Sequence, residues 1–481
     1  MKDAAPSPLH VAVQDLRVGM FIHLEGGWLA HPFPLSHFKL TSLQQIGVIR
    51  ALGLKRVRWS PEKSDLEGTS GGSGPAPPAR AAGAPAIERA ARAANDRAVP
   101  HADARSAAAP HADAQSAAAP PADSRSAAAP PANTRIAAEP QPPATAAERR
   151  RREALAAQHE ALRVCERQFA EAAQACKTLT DLIQAKPQVA REQSVSLSRA
   201  LVTKMLDQGE SCIRLLNEAA GDKASMHAMN VTVLSLLLGK AIGVSEVELL
   251  DLGVGAMLHD IGKMDVPDRV CHRDEQFTTF ETMAYQEHVA HGVRQGKRMG
   301  LAAGALGVIE QHHEHADGTG FPLRLGNDRM SACARIVALV NRYDNLCNPH
   351  APSRALTPHE ALSLMYAQGK SKFDAPILGS FIKMMGIYPP GSAVQLTDER
   401  YAIVVAVNAS RPLSPRVMVH DEQVAPDKAL VLDLQSVPEI VIRRSVKPLT
   451  MPPASLDYLS PRPRVAYFFA SPAELEPRAR P

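Results

Sequence analysis

Five histidines and one aspartate, His227, His259, Asp260, His288, His312 and His313, fall at the ends or on the faces of successive amphipathic segments. Taken singly, each histidine reads more readily as a surface residue or a satisfied core residue than as a ligand. Taken together they form a set. His227 shares a helical face with Val231, Leu234 and Leu238, so it points toward a core at the start of its helix, where a polar ring needs a partner. His259 and Asp260 close the apolar stretch LGVGAML and run into IGK, so two ligand-type residues and Lys263 come from one helical turn. His288 belongs to the next helix. His312 and His313 end a helix whose buried stripe is Ala305, Val308, Ile309 and His312, and they lead into EHADGTGFP, a loop tightened by Gly318 and Gly320.

Imidazoles and one carboxylate delivered from successive helices of a bundle make a mixed nitrogen and oxygen environment suited to divalent iron, manganese or zinc. Two such ions about 3.5–4 Å apart would share a bridging hydroxide and neutralise a phosphodiester during in-line attack. Lys263 would stabilise charge on the phosphoryl oxygens, which makes Asp260 and Lys263 the candidate catalytic residues. The competing structural reading is a bundle that happens to carry unrelated histidines.

The motifs HDIGK, HHEHADGTGFP and ARIVALVNRYDNL, in that order, resemble the HD-GYP family of bacterial cyclic di-GMP phosphodiesterases, over residues 194–390. The resemblance implies an HD-type helical bundle, two or three metal ions and hydrolysis of cyclic di-GMP to pGpG or GMP. It also implies docking to diguanylate cyclase (GGDEF-type) domains, and homodimerisation is left open. By position it puts metal ligands at His227, His259, Asp260, His288, His312 and His313, with two divalent transition metal ions, iron or manganese. Substrate contacts fall on Lys263 and on Asp317, Gly318, Gly320 and Phe321 of the loop.

Departures from the family pattern bear on activity. Asn341 stands where the family has a ligating aspartate; a neutral amide is the weaker ligand, which predicts one loose metal position. Asp344 matches the motif's second aspartate but lies about 5 Å along the helix. Lys223, one turn before His227, replaces the glutamate of three-metal members, so two ions are expected. The family's Arg-Pro-Tyr-Arg stretch is replaced by HAPSR, leaving His350, Ser353 and Arg354 as candidates to grip phosphate. Phe321 replaces the loop tyrosine, keeping a stacking face and losing a hydroxyl. These changes support an alternative: a weak or inactive sensor or scaffold that binds nucleotide or a cyclase domain. Hydrolysis of another cyclic dinucleotide is a third reading.

The elements that must position this set are mainly α-helical. Residues 1–65 read as a small α+β module with strands at VAVQDL, MFIHL and KRVRWS and a helix capped by Thr41. This module, with GWLAHPFP and PEKSD, also resembles the small N-terminal module often fused to HD-GYP domains. Residues 66–148 are rich in Ala and Pro, with a ten-residue echo (HADARSAAAP, HADAQSAAAP) that offers no repeating apolar face and is expected to be a disordered tether. Residues 149–193 read as a connecting helix. Residues 391–481 carry short apolar runs (YAIVVAV, PRVMVH, ALVLDL, EIVIRR) expected to form a small β-rich C-terminal extension.

Composition excludes other classes. A length of 481 residues predicts two or three folded units. A formal charge of +4 and 4% aromatic residues give no basic, aromatic-interleaved stripe, so no nucleic acid polymer is expected as partner. Six cysteines without a CxxC pair argue against a zinc ribbon or a disulfide framework and for reduced thiols in cytosol. With no secretory signal and no apolar run approaching the roughly 20 residues of a membrane span, a soluble cytoplasmic protein is expected.

Overall fold

The computed structural model describes residues 9–24, 37–51, 53–65, 145–207, 212–216, 222–369, 371–408 and 411–470. The aromatic stretch GWLAHPFP and residues 66–144 of the expected tether lie outside the described residues.

The N-terminal part carries β1 (His10–Ala12), β2 (Phe21–His23), β3 (His37–Lys39), α1 (Leu43–Ala51) and β4 (Arg56–Ser60). Its antiparallel sheet has the order β1-β4-β2-β3. Ile22, Leu40, Ile49 and Val57 form its core, against which Val441 of the C-terminal part packs. At the start of α1 the side chain that accepts a backbone N–H is Ser42, which takes Gln45 N at 3.3 Å; the Thr41 hydroxyl instead donates to Gln45 Oε1. The helix therefore starts one residue later than its expected cap.

The helical part follows as α2 (Ala146–Leu182), α3 (Pro187–Asp207), α4 (Lys223–Ala241), α5 (Glu246–Leu258), α6 (Thr279–Met299), α7 (Ala303–Gln311), α8 (Ala332–Cys347), α9 (Pro358–Gln368) and α10 (Ala375–Met385). Reciprocal capping boxes start α2 (Thr145, Glu148), α5 (Ser245, Glu248), α6 (Thr278, Glu281) and α9 (Thr357, Glu360). The long α2 does more than connect: Cys165, Phe169, Ala172, Cys176 and Leu179 recur at helical spacing and enter the main core. Helix α4 is buried on nearly every face from Met226 to Gly239, which makes it the central helix of the bundle.

The remaining elements are β5 (Cys212–Leu215), β6 (Ala393–Leu396), β7 (Tyr401–Asn408), β8 (Arg416–Val419), β9 (Leu432–Asp433), β10 (Ile442–Ser445), α11 (Pro453–Leu459) and β11 (Tyr467–Ala470). They form an antiparallel sheet of order β10-β6-β7-β5-β11, with β8 and β9 branching from β7. Ile213 of β5 lies opposite Val407 on one side and Phe469 on the other. Strand β5 comes from the middle of the helical region, and Tyr467, Phe468 and Phe469 join the core of the helices. The C-terminal strands are thus woven into the helical domain instead of hanging beyond it. No described helix is long and apolar enough to cross a membrane.

Candidate metal centre

The site is assembled from helix ends. His227 sits one turn into α4, His259 and Asp260 at the C-terminus of α5, His288 on α6, and His312 and His313 at the C-terminus of α7. Asp260, His288, His312 and His313 each offer a ligand atom within 4.8 Å of the others, and His227, His259 and Asp260 form a second such group. Asp260 belongs to both. Its Oδ2 lies 3.5 Å from His259 Nε2 and 3.7 Å from His227 Nε2, while Oδ1 lies 3.6 Å from His288 Nε2 and 3.7 Å from His312 Nε2. One carboxylate therefore faces two imidazole clusters, one with each oxygen.

The hydrogen bonds on the far side of each ring decide what the near side can do. His259 Nδ1 donates to Ala256 O at 2.7 Å, His312 Nδ1 to Ile309 O at 2.8 Å, and His288 Nδ1 to Tyr285 O. His227 Nδ1 faces Asp344 Oδ2 at 2.6 Å. With the proton on Nδ1, each Nε2 presents a lone pair. Yet His227 Nε2 and His259 Nε2 are 3.2 Å apart, and His288 Nε2 and His312 Nε2 are 3.4 Å apart. Lone pairs aimed at one another across such distances repel unless a cation lies between them and the carboxylate. Asp260 Oδ1, buried without a hydrogen-bond donor among the described residues, makes the same demand. The donor set thus fits divalent metal ions, with Asp260 common to both groups.

Protons are poor substitutes for those cations. Burial pushes His259 down to about 3 and His288 down to about 4, and holds His313 well below the ordinary histidine value. Burial opposes ionisation of Asp260 as well, but Lys263 and His259 beside it hold its carboxyl well below the usual range. Lys263 donates from Nζ to Asp260 Oδ2 at 2.6 Å. Burial acts against its charge, and Asp260 with Tyr285 more than offsets this and raises its pKa. His259, His288 and His312 side chains are fully buried, whereas His227, Asp260 and Lys263 keep 18%, 21% and 24% exposure. The site opens to solvent on the side of the candidate catalytic pair.

Close backbone approach holds the pieces in place. A Cβ on Gly262 would lie 1.8 Å from His288 O and 2.4 Å from Gly292 N, so the turn after Asp260 packs directly on the α6 backbone. Gly320 does the same against Glu314 and His315, and Gly318 has φ +72°. Phe321 stacks on His313, with ring centroids 4.6 Å apart at 22°. Asp317 accepts bonds from Thr319 N and Oγ1, which spends it on the loop's own turn.

Several supporting residues were not singled out in the sequence. Glu314, fully buried, accepts Leu323 N at 2.6 Å and Leu325 N at 2.9 Å and so folds the loop back beneath Phe321. Tyr285 Oη reaches His313 Nε2 at 3.3 Å; its position three residues before His288 on the buried face of α6 was the available signal. Asn230 and Asn348 both donate to Asp344.

The remaining sequence candidates surround this set. Asn341 is buried on α8 and its Oδ1 accepts from Asn345 Nδ2 at 2.6 Å. Asp344 takes the far nitrogen of His227 and sits behind that ring. His350 stacks on His272 at 4.0 Å, and Arg354 pairs with Asp274 at 3.7 Å. These contacts place both on the loop that follows Lys263, where Cys271 Sγ reaches Lys263 O at 3.6 Å.

A helical bundle whose helix ends converge on histidines and one shared aspartate is an arrangement that could hold metal ions. Residues 177–377 match the HD domain, and residues 9–119 match a domain of unknown function, DUF3391. A cyclic di-GMP phosphodiesterase of Pseudomonas aeruginosa is 30% identical over 211 residues, 44% of this chain and 50% of that protein. A cyclic di-GMP phosphodiesterase response regulator of Xanthomonas campestris is 27% identical over 219 residues, 43% of this chain and 57% of that protein. A 3'3'-cGAMP-specific phosphodiesterase of Vibrio cholerae is 28% identical over 164 residues, 34% of this chain and 35% of that protein. The chain thus spans between about a third and just over half of the length of these relatives. The helical part is thus similar to the HD domain over residues 177–377.

Proposed function

We propose that this protein is a metal-dependent phosphodiesterase that opens cyclic di-GMP, giving pGpG or GMP, with His227, His259, Asp260, His288, His312 and His313 holding two divalent iron or manganese ions. The observation that carries the reading is the pair of facing Nε2 lone pairs on either side of the donor-free Asp260 carboxylate oxygen. Bound ions would supply a hydroxide at neutral pH and Lewis acidity toward a phosphodiester. The chain's own residues do the rest. Asp260 holds both halves of the site in register, and the Nδ1 bonds to Ala256, Tyr285 and Ile309 keep the ligand nitrogens deprotonated. Lys263, charged and at the open face, is placed to neutralise a phosphoryl oxygen. The substrate preference rests on the cyclic di-GMP enzymes among the relatives.

A second reading, a weak or inactive sensor or scaffold, is favoured by Asn341, whose amide oxygen is engaged by Asn345. The family resemblance alone carries docking to diguanylate cyclase domains, the homodimer stays open, and the cytoplasmic setting rests on the cysteine pattern. The discriminating assay incubates the metal-loaded full chain with cyclic di-GMP, 3'3'-cGAMP and cyclic di-AMP in parallel. The proposal expects cyclic di-GMP to be opened fastest. Turnover of only another dinucleotide would replace the substrate, and two bound metals with no turnover of any would favour the scaffold.

A further inference from the structure

The ligand tautomer of His227 is traced back to the C-terminal strand by an unbroken hydrogen-bond chain. The backbone N–H of Val465 donates to Asn348 Oδ1 at 2.9 Å, and that of Tyr467 donates to Asn230 Oδ1 at 3.1 Å. A backbone N–H can only donate, so both amides must turn their oxygens toward these N–H groups. With the amide oxygens so taken, both Nδ2 groups are placed as donors: each reaches Asp344 Oδ1 at 2.9 Å and Val465 O at 2.9 Å. Two donors on Oδ1 leave Oδ2 to accept from His227 Nδ1 at 2.6 Å, and the proton on Nδ1 leaves Nε2 bare toward the metal side. Asp344 and Asn230 are buried, and every polar atom in this chain is engaged.

We infer that Asp344, with Asn230, Asn348 and the backbone of Val465 and Tyr467, is a positioning network that fixes His227 in its metal-binding tautomer, making the C-terminal strand a working part of the site. This rests on the reading of the histidine cluster as a metal centre. An oriented carboxylate behind a ligating imidazole fixes ring and tautomer and raises ligand basicity, and its loss weakens metal binding by about 10–100-fold. Asp344→Asn sharpens the test. With two amide donors already on one side, the new side chain keeps its oxygen there and turns its NH2 toward His227 Nδ1. His227 must then carry its proton on Nε2, where a metal should be.

The experiment uses the full chain, stripped with chelator and titrated with Co2+ and Mn2+, with metal counted and the Co2+ visible spectrum recorded, and with the nitrogen NMR shifts of His227 compared in the metal-free state. The unsubstituted protein is expected to bind two ions with His227 protonated on Nδ1. Asp344→Asn is expected to keep one ion near its original affinity, to bind the other about 10–100-fold more weakly, and to move the His227 proton to Nε2. Asn348→Ala, which spares the carboxylate, is expected to give a smaller loss at the same ion. Equal affinities and an unchanged tautomer in a folded Asp344→Asn would overturn the inference. Failure of the unsubstituted protein to bind metal would overturn the metal-centre reading instead. If Asp344→Asn does not fold, Asn348→Ala decides, and unchanged binding there overturns the inference.

Discussion

Lys263 Nζ donates to Asp260 Oδ2 at 2.6 Å, while Asp260 Oδ1 is buried and receives no donor. The two oxygens of one carboxylate are therefore unequal: Oδ2, facing His227 and His259, already receives a lysine donor, whereas Oδ1, facing His288 and His312, has none among the described residues.

From that division, Lys263→Met should leave both imidazole clusters and Oδ1 in place and remove only the charge at the open face. Bound metal should stay at two per chain while the turnover of cyclic di-GMP falls by about 10²–10³-fold. Metal counts and kcat on the same sample check this; loss of metal along with turnover would show that Lys263 serves the site's structure instead.

Acid should destabilise the metal-free protein early. Burial brings His259 to about 3 and His288 to about 4 in the folded chain, against about 6.5 unfolded. Between those values the unfolded chain binds more protons, so stability rises with pH and is lost as pH falls from about 6.5 toward 4. Each group adds a slope of up to about 1.4 kcal/mol per pH unit. Asp260, whose folded pKa is depressed, adds its own loss only below about 4. Urea midpoints of chelated protein at pH 7, 6 and 5 should fall in step; a flat series would mean these imidazoles are not buried and neutral.

Gly262→Ala should cost about 3 kcal/mol or more, because the added methyl meets the α6 backbone at His288 O and Gly292 N, where no side-chain rotation can relieve it. Chemical denaturation measures this. Gly307→Ala, with open space around its Cβ, is the control and should be neutral or mildly stabilising.

Phe321 tests whether the loop aromatic is an anchor. Its ring stacks on His313, so Phe321→Tyr should preserve metal affinity, whereas Phe321→Ala should loosen His313 and weaken one ion by about tenfold. Equal affinity in all three proteins would remove Phe321 from the support of the site.

The histidines that the structure brings together were legible in the sequence because each sits at a helix end or on a buried helical stripe, where period and cap signals are strong. The loop geometry was legible through Gly318 and Gly320. What the sequence hid were the groups behind the ligands. Asp344 was visible as the motif's second aspartate but not as the partner of His227, and Asn230 and Asn348 are ordinary polar residues until Val465 and Tyr467, more than 100 residues away, supply the N–H groups that orient them. Strands β5 and β11 were missed for a related reason: CIRL and YFFA are only four residues long, and it is their pairing with each other, and that of β5 with β7, that makes them strands. His350 and Arg354 were read as phosphate contacts from their position after α8, but local sequence could not show that the partners at hand are His272 and Asp274.

The most direct test of the metal-centre account is to purify the full chain anaerobically, count transition metals per chain, and assay that sample for cyclic di-GMP hydrolysis beside Asp260→Ala. The account predicts two ions and turnover in the unsubstituted protein, and loss of both in a variant that no longer bridges the clusters. An unsubstituted protein that binds no metal, or one whose metals and turnover survive Asp260→Ala, would contradict it.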